Sequence, residues 1–491
     1  MSEKLPQGWT WSSIAELSRM VTSGSRDWSQ YYSDSGAYFV RSAEINDYNF
    51  RLSEAIRVAL PENVEGKRTL IEKGDILVTV TGANVGKCAK VDADIPEAYV
   101  SQSVALAKLS NSELTPFVYY ALRAPNVGAR QLAEMAYGVG RPVLSLPQIR
   151  NVRIPLAPLG EQRRIVAKLE TLLGKVDASQ QRLAKIPVLL KRFRQSVLAA
   201  ACSGRLTADW REENPSVGPA SETLEAHAQR TAGRERNTRR MKPAKGLTLL
   251  DYSDEIPPTW AWLKVRELVE RGAIFDVQDG NHGELYPRAE DFGDAGVRYI
   301  SAEQVINDRV QIDSAPLLKH EKARQLRIGF AKANDVILTH NATVGRVALL
   351  PPGSPDVVLS TSTTYYRVDE AVLLARYLAT FLRSHFFQSQ LGAVMEQTTR
   401  NQVSVTKQVE FGVAIPPLPE QQEIVRRVEG LFALADQLEE RLEKARSRVS
   451  GITPSLLARA FAGQLVPQDP TDEPASELLE RIRVGAKSNH E

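Results

Sequence analysis

From Ile165 to Val197 the apolar positions advance in alternating steps of four and three: Ile165, Leu169, Leu172, Val176, Leu183, Ile186, Leu190, Phe193 and Val197, with only Ser179 interrupting. The same rhythm returns at Ile424, Val428, Leu431, Ala435, Leu438, Leu442, Ala445, Val449, Ile452 and Leu456. Glu, Arg, Lys and Gln fill the positions between. Held over four heptads, this pattern predicts two long helices, each with a narrow seam that suits one partner helix better than a broad core. A helix of about 40 residues is roughly 60 Å long at 1.5 Å per residue. Pro187 and Pro454 fall inside the two helices, and a bend is expected at each. The simpler alternative is two ordinary amphipathic helices, each packed on its own domain.

The two helices belong to a repeat. Leu159 to Leu206 recurs as Leu418 to Leu465, with a constant offset of 259 residues and no gap. Glu161-Gln162 falls on Glu420-Gln421, Asp177 on Asp436, and Gly204 on Gly463. The repeat extends outside the helices. Trp9-Thr-Trp11 returns as Trp260-Ala-Trp262, Arg41-Ser-Ala-Glu44 as Ile300-Ser-Ala-Glu303, and Asn84-Val-Gly86-Lys87 as Thr343-Val-Gly345-Arg346. Ser101-Gln-Ser103 returns as Ser360-Thr-Ser362, and Arg141 and Ser145 as Arg400 and Ser404. The helical pairing partner is therefore the other copy. The expected layout is a first domain over 1–157, a long helix over 158–206, a polar connector over 207–255, a second domain over 256–416, a second long helix over 417–466, and a flexible tail over 467–491.

Within each domain the pattern is mixed. Val78 to Val80 and Val336 to Leu338 read as strands beside Gly or Asn turns. Ala98 to Leu109 and Val357 to Val368 read as further strands. Pro116 to Leu122 and Leu373 to Leu382 have helical spacing. Asn151 to Pro158 and Glu410 to Pro417 read as a last strand ending in a proline stop. The fold class is α+β, with two pseudo-repeated α/β domains joined by two long helices.

Composition narrows the function classes. With 62 basic and 59 acidic residues, the net charge of +3 announces no partner by itself, so any basic surface is local. Between Arg230 and Lys245 the connector holds seven basic residues and one acidic one, read as a solvated connector ahead of a phosphate-binding arm. Two cysteines, Cys88 and Cys202, make no disulfide framework and fit a reducing compartment. With no apolar leader and no membrane-length apolar run, a cytoplasmic location is expected.

Catalytic patterns are missing. Gly82-Ala-Asn-Val-Gly86-Lys87-Cys88 is one residue short of a phosphate loop and has cysteine where Ser or Thr would hold magnesium; a turn with Gly86 and Gly345 at positive φ accounts for it better. The six histidines are scattered, none pairs at metal-ligand spacing, and no nucleophile elbow occurs. No catalytic, cofactor or metal residue is therefore named.

Two similar but unequal domains held by long helices suit a long, regular ligand read in two places, and duplex DNA fits that description. Candidate readers are polar residues near the turns: Arg26, Arg41, Ser42, Lys67, Arg68, Thr81, Asn84, Lys87, Gln102 and Arg141 in the first domain. In the second they are His282, Arg298, Ser301, Gln304, His340, Asn341, Thr343, Arg346, Thr361, Arg400 and Asn401. Arg forks onto guanine and Asn or Gln onto adenine, although phosphate contact is the commoner fate of any one side chain. Two alternatives are an enzyme acting on DNA by itself, for which the motifs are missing, and a purely structural coiled-coil scaffold.

Pro158-Leu-Gly-Glu-Gln-Arg-Arg-Ile-Val166 and Pro417-Leu-Pro-Glu-Gln-Gln-Glu-Ile-Val425 resemble the start of the repeated helical regions of type I restriction-modification specificity subunits. The Gly74-Asp75-Ile-Leu-Val-Thr79 run, the Asn84-Val-Gly86-Lys87 turn and the closing Ala-x-x-Gly-x-Leu at Ala201 and Ala460 resemble the same family. The match covers nearly the whole chain except the connector and tail; Gly160, where the second copy has Pro419, is a small departure. The resemblance implies a non-catalytic subunit with two target-recognition domains, each binding one part of a bipartite, asymmetric DNA sequence, and helices paired antiparallel as a ruler. It also implies two methyltransferase subunits carrying S-adenosylmethionine and the adenine chemistry, and motor-nuclease subunits using ATP and magnesium.

Overall fold

The structure is a computed structural model that describes residues 5–24, 28–46, 49–61, 66–138, 140–233, 249–396 and 402–488, the side chains of 49, 67 and 486–488 excepted. The chain forms two units, Met1–Ala184 with Leu442–Glu491, and Lys185–Arg441. The long helices are Leu159–Cys202 and Leu418–Ala460, so each begins in one unit and ends in the other. Both run on through their prolines, Pro187 and Pro454. None of the described helices is long and apolar enough to cross a membrane.

In the first unit an antiparallel sheet runs in the order Ser18–Ser23, Val104–Leu109, Ile76–Thr79, Cys88–Lys90. All four residues of Ile76–Thr79 are buried, as expected of a strand covered on both faces. One face meets the helix Thr115–Arg123 and the long helices, around Ile76, Val78, Phe117 and Leu169. The other face, with Leu77, Ala89 and Leu106, packs on a second sheet through Val40, Ala98 and Val100. That sheet has the order Ala98–Val100, Ala37–Val40, Ile56–Val58, Tyr32–Ser33, and its first pair is parallel. Thr10–Ser13 pairs separately with Arg153–Leu156 just before the helix starts.

The second unit repeats this plan: Ile274–Asp279, Thr363–Val368, Val336–Thr339 and Val347–Leu349 form its first sheet. Val297–Ile300 pairs in parallel with Val357–Leu359 in the second, and Ala261–Lys264 pairs with Gly412–Ile415. The stretches Ala98 to Leu109 and Val357 to Val368, each read as continuous strand, break at their Ser-x-Ser turns. The two pieces then enter different sheets. Gly86 and Gly345 do adopt positive φ, at 81° and 93°.

The most faithfully repeated motifs turn out to be clamps. Trp9 donates from Nε1 to Glu161 at 2.9 Å, and Trp260 to Glu420 at 2.9 Å. Gln162 and Gln421 donate back to the carbonyls of Ala157 and Pro416. Each tryptophan ties the start of a long helix to the residue just before the first strand of its domain, and each glutamine ties it to the carbonyl just after the last strand; a buried donor left without such an acceptor would cost about 1–3 kcal/mol.

Inside each unit the helices pair antiparallel. In the first, Leu457 and Ala460 share a core with Ile165 and Leu169, and Arg446 donates to the carbonyl of Leu183. In the second, Val197 and Ala201 share a core with Ile424 and Val428. The seam departs from the sequence reading at two positions. Leu173 is buried and Leu172 only half-buried, while Leu438, placed in the seam, is 42% exposed. Ile165, Leu169, Val176, Ile424, Val428 and Leu442 are buried, and Leu183, Ile186, Leu431 and Val449 partly so. Toward the middle, polar residues enter the layer: Arg194 bridges to Asp436 and Glu439.

The connector and tail are also corrected. Ala220–Arg230 is a helix whose Ala220 and Leu224 join the second unit's core. The tail, expected to be flexible, forms the helix Ala475–Ser488, with Ala475, Leu478, Leu479 and Ile482 in the first unit's core. Both helices open on Pro-Ala-Ser-Glu, at Pro219 and Pro474. Their first amides donate to Thr259 and to Gly8, just before the two clamping tryptophans. Each unit is thus one domain, the start of one long helix, the end of the other, and a covering helix. The basic run after Arg230 lies almost wholly outside the described residues.

Candidate nucleic-acid interface

The candidate face is built where the two sheets of a domain part. In the first domain Ser101 and Ser103 bond through their hydroxyls at 2.7 Å, and Ser103 Oγ accepts from the amide of Ser42 at 3.1 Å. The second domain does the same with Ser360 and Ser362 at 2.6 Å, and with the amide of Ala302 at 2.9 Å. The serines fix two backbones together and leave the residue between them, Gln102 or Thr361, at the surface or half-buried.

This anchor also corrects a register. Ser-Ala-Glu suggests that Ser42 matches Ser301. The bonds instead match Ser42 with Ala302, Arg41 with Ser301, and Glu44 with Gln304. Arg41 and Ser301 each precede a short 3-10 turn and donate their amides to Glu44 at 2.6 Å and to Gln304 at 3.0 Å. Glu44 is buried, whereas Glu303 is exposed. Similarly Val80 and His340 take equivalent places, donating to the carbonyls of Ser103 and Ser362, so Thr81 stands where Asn341 stands. Thr81 bridges to Val143 and Asn341 to Gln402.

Five of the first domain's candidates meet in one cleft of about 350 Å³: Arg41, Ser42, Thr81, Gln102 and Arg141, beside Trp28 and Tyr32. A neighbouring cleft of about 530 Å³ shares Thr81, Gln102 and Arg141 and reaches Ser23 and Gly24. Arg41 donates to Glu44 at 2.8 Å, and this carboxylate raises the guanidinium pKa further, fixing a permanent cation in the cleft wall. Asn84 and Lys87 are used internally: Asn84 donates to the carbonyls of Ser42 and Ile45, and Lys87 to Asn46. Arg68 is exposed but does not line this cleft. Arg26 and the side chain of Lys67 lie outside the described residues.

In the second domain His282 donates from Nε2 to the Asp279 carboxylate at 2.7 Å, and its side chain is about half exposed. His340 is buried against Thr364 at 2.8 Å, and burial pushes its pKa down to about 4, leaving a neutral ring. Arg298 and Arg346 bind the carbonyls of Ala315 and Val305, so both serve the fold first. Thr343 sits half-buried in the turn, its amide on Asn341. Arg400 and Asn401 lie outside the described residues. Sequence reasoning missed Tyr32, Asp279 and Gln402. Asp279 replaces Ser23 at the equivalent strand end, buried beneath the His282 ring that it holds.

Among the described residues no group of three or more His, Cys, Asp or Glu side chains is placed to hold a metal ion. Both thiols are buried, which pushes them up to about 12.

A sequence model of the type I restriction modification DNA specificity domain matches residues 6–188 and 267–445. The chain belongs to this family. Each matched stretch takes in most of one domain and part of the long helix after it. Among relatives, the StySPI specificity subunit of Salmonella potsdam is 28% identical over 98% of this chain and 96% of that protein. The EcoBI specificity subunit of Escherichia coli is 29% identical over 70% of this chain and 66% of that protein. A chain from a structure titled as the basis of complex assembly and conformational transition of the type I R-M system has the same fold, with TM-score 0.64 at 18% identity over 94% of this chain and 100% of that one.

Proposed function

We propose that this family member is the non-catalytic, sequence-reading subunit of a type I restriction-modification complex in the cytoplasm. Its two target-recognition domains each bind one part of an asymmetric, bipartite DNA site. The observation that carries the reading is one backbone frame holding different side chains at matched steps: Arg41 against Ser301, Thr81 against Asn341, Gln102 against Thr361. Equal frames give equal approach to a groove, and unequal side chains give unequal half-sites.

The remaining chemistry belongs to partners. Two methyltransferase subunits would dock on the helical parts, bringing S-adenosylmethionine, and motor-nuclease subunits would bring ATP and magnesium. Val188, Leu189 and Leu434 are exposed at 55%, 58% and 50% on the long helices, apolar side chains available to such docking.

Two experiments test this. Mapping methylated adenines with and without this gene should reveal one two-part motif that vanishes on deletion; unchanged methylation would refute the reading. Adding one heptad to both helices tests the ruler. Antiparallel pairing, with Arg446 against Leu183, sets the insertion points opposite one another at Ala178 and Gly451. Each helix gains about 10 Å, and the unread spacer should lengthen by roughly three base pairs at 3.4 Å each. An unchanged spacer with intact binding would exclude a ruler.

A further inference from the structure

The two units differ where the helices pass each other. In the second, Arg194 donates across the pair to Asp436 at 2.5 Å and to Glu439 at 2.6 Å. Through the 259-residue offset, Asp436 corresponds to Asp177, Glu439 to Gln180, and Arg194 to Thr453. Those three line a cleft of about 970 Å³ in the first unit, walled opposite by Lys90, Tyr120 and Arg123. Threonine cannot span what arginine spans. Asp177 is exposed and makes no ion pair among the described residues. The cations nearby are engaged: Lys90 with Asp92 at 3.0 Å and Glu170 at 3.5 Å, Arg51 with Glu54 at 3.2 Å, Arg123 with the Tyr119 hydroxyl at 2.8 Å.

We propose that this cleft is a docking site for an arginine presented by a partner chain, which fills in trans the place that Arg194 fills in cis in the other unit. The partner is a methyltransferase subunit, so the proposal rests on the reading above. A guanidinium matches the chemistry: its planar fork suits the Asp177 carboxylate and the Gln180 carboxamide oxygen, the counterparts of the two acids that Arg194 holds. The consequence is functional asymmetry. A partner at the first unit finds an open carboxylate, and a partner at the second finds it already taken, so the two partner copies are held with unequal strength.

The test uses the full chain with its co-expressed methyltransferase subunit, counted by native mass spectrometry and titrated for affinity. Thr453→Arg closes the cleft from within and should weaken one of two partner sites about tenfold, with the melting midpoint at or above wild type. Asp177→Asn should weaken the same site. Thr453→Val leaves the cleft open and should bind as wild type, separating docking from folding. Two copies held by Thr453→Arg with unchanged affinity would overturn the docking site alone. A wild-type chain that retains no methyltransferase would overturn the partner reading and the proposal with it.

Discussion

Glu161 and Glu420 occupy the same step of the repeat, each accepts from a tryptophan at 2.9 Å, and yet they are satisfied differently. The second oxygen of Glu420 accepts from the Thr207 hydroxyl at 2.7 Å and from Arg211 at 2.5 Å, and Arg211 also donates to the carbonyl of Gly204 at 2.6 Å. The second oxygen of Glu161 is buried with no hydrogen-bond partner. Its nearest cation, Arg164, is held by Asp472 at 2.5 Å. The offset of 259 puts Val466 and Pro470 where Thr207 and Arg211 would be. The lesson is that the repeat copied the carboxylate but not its cap, because the cap lies beyond the gapless block. One clamp is a buried ion pair and the other a desolvated acid.

The largest expected effect breaks the stronger clamp. Glu420→Gln leaves Arg211 without its counter-charge in a mostly buried place, and losing one partner of such a pair costs about 3 kcal/mol. Glu161→Gln keeps an acceptor for Trp9 and removes an uncompensated charge, so its cost near pH 7 should stay below about 1 kcal/mol in either direction. Urea unfolding followed by tryptophan fluorescence measures both. Equal costs would mean that the two clamps are energetically alike despite their geometry.

The same comparison explains what the sequence disclosed. The helix starts, the clamp motifs and the last strands were legible because the apolar rhythm and the proline stops act locally. The covering helix Ala475–Ser488 was not, because its Pro-Ala-Ser-Glu start matches Pro219 at an offset of 255, outside the main register. The seam was placed on Leu172 although Leu173 is buried; where polar residues such as Arg194 occupy the layer, periodicity alone does not fix every seam position. The candidate face was half legible. Arg41, Thr81, Gln102 and Arg141 do converge, but Asn84 and Lys87 spend their polar groups on backbone and side-chain neighbours. Composition near a turn does not distinguish those two fates. Ser-Ala-Glu misled by one residue because what repeats physically is the acceptor three positions after the cap, Glu44 or Gln304.

The next effect sharpens the comparison at the proposed DNA face. Arg41→Ala should cost about 1–3 kcal/mol on the preferred sequence and relax one position of the first half-site, as loss of a forked base contact does. Ser301→Ala, at the matched step of the second domain, should cost less than about 1 kcal/mol, since the Ser301 hydroxyl is already spent on Gln304 at 2.8 Å. Binding of the reconstituted complex to a panel of singly substituted sites, at fixed salt, separates the two. If Arg41→Ala weakens every sequence equally, Arg41 touches phosphate and the cleft positions without specifying.

The smallest effect concerns protons at the weaker clamp. Burial pushes the Glu161 carboxyl above the usual 4.5, with the Trp9 bond opposing. A carboxyl raised on folding is most favourable when protonated. Its contribution is fully present below the unfolded value near 4.5 and is lost as pH rises through the higher folded value. Near pH 7, wild type therefore carries the penalty of a buried charge that Glu161→Gln does not. As pH falls from 7 toward 4.5, wild type should gain on the variant, and the other carboxylates cancel in the difference because both chains share them. Melting midpoints of the two proteins across that range give the sign directly. A gap between them that stays constant would mean that Glu161 titrates alike folded and unfolded, so its unpartnered oxygen would carry no penalty.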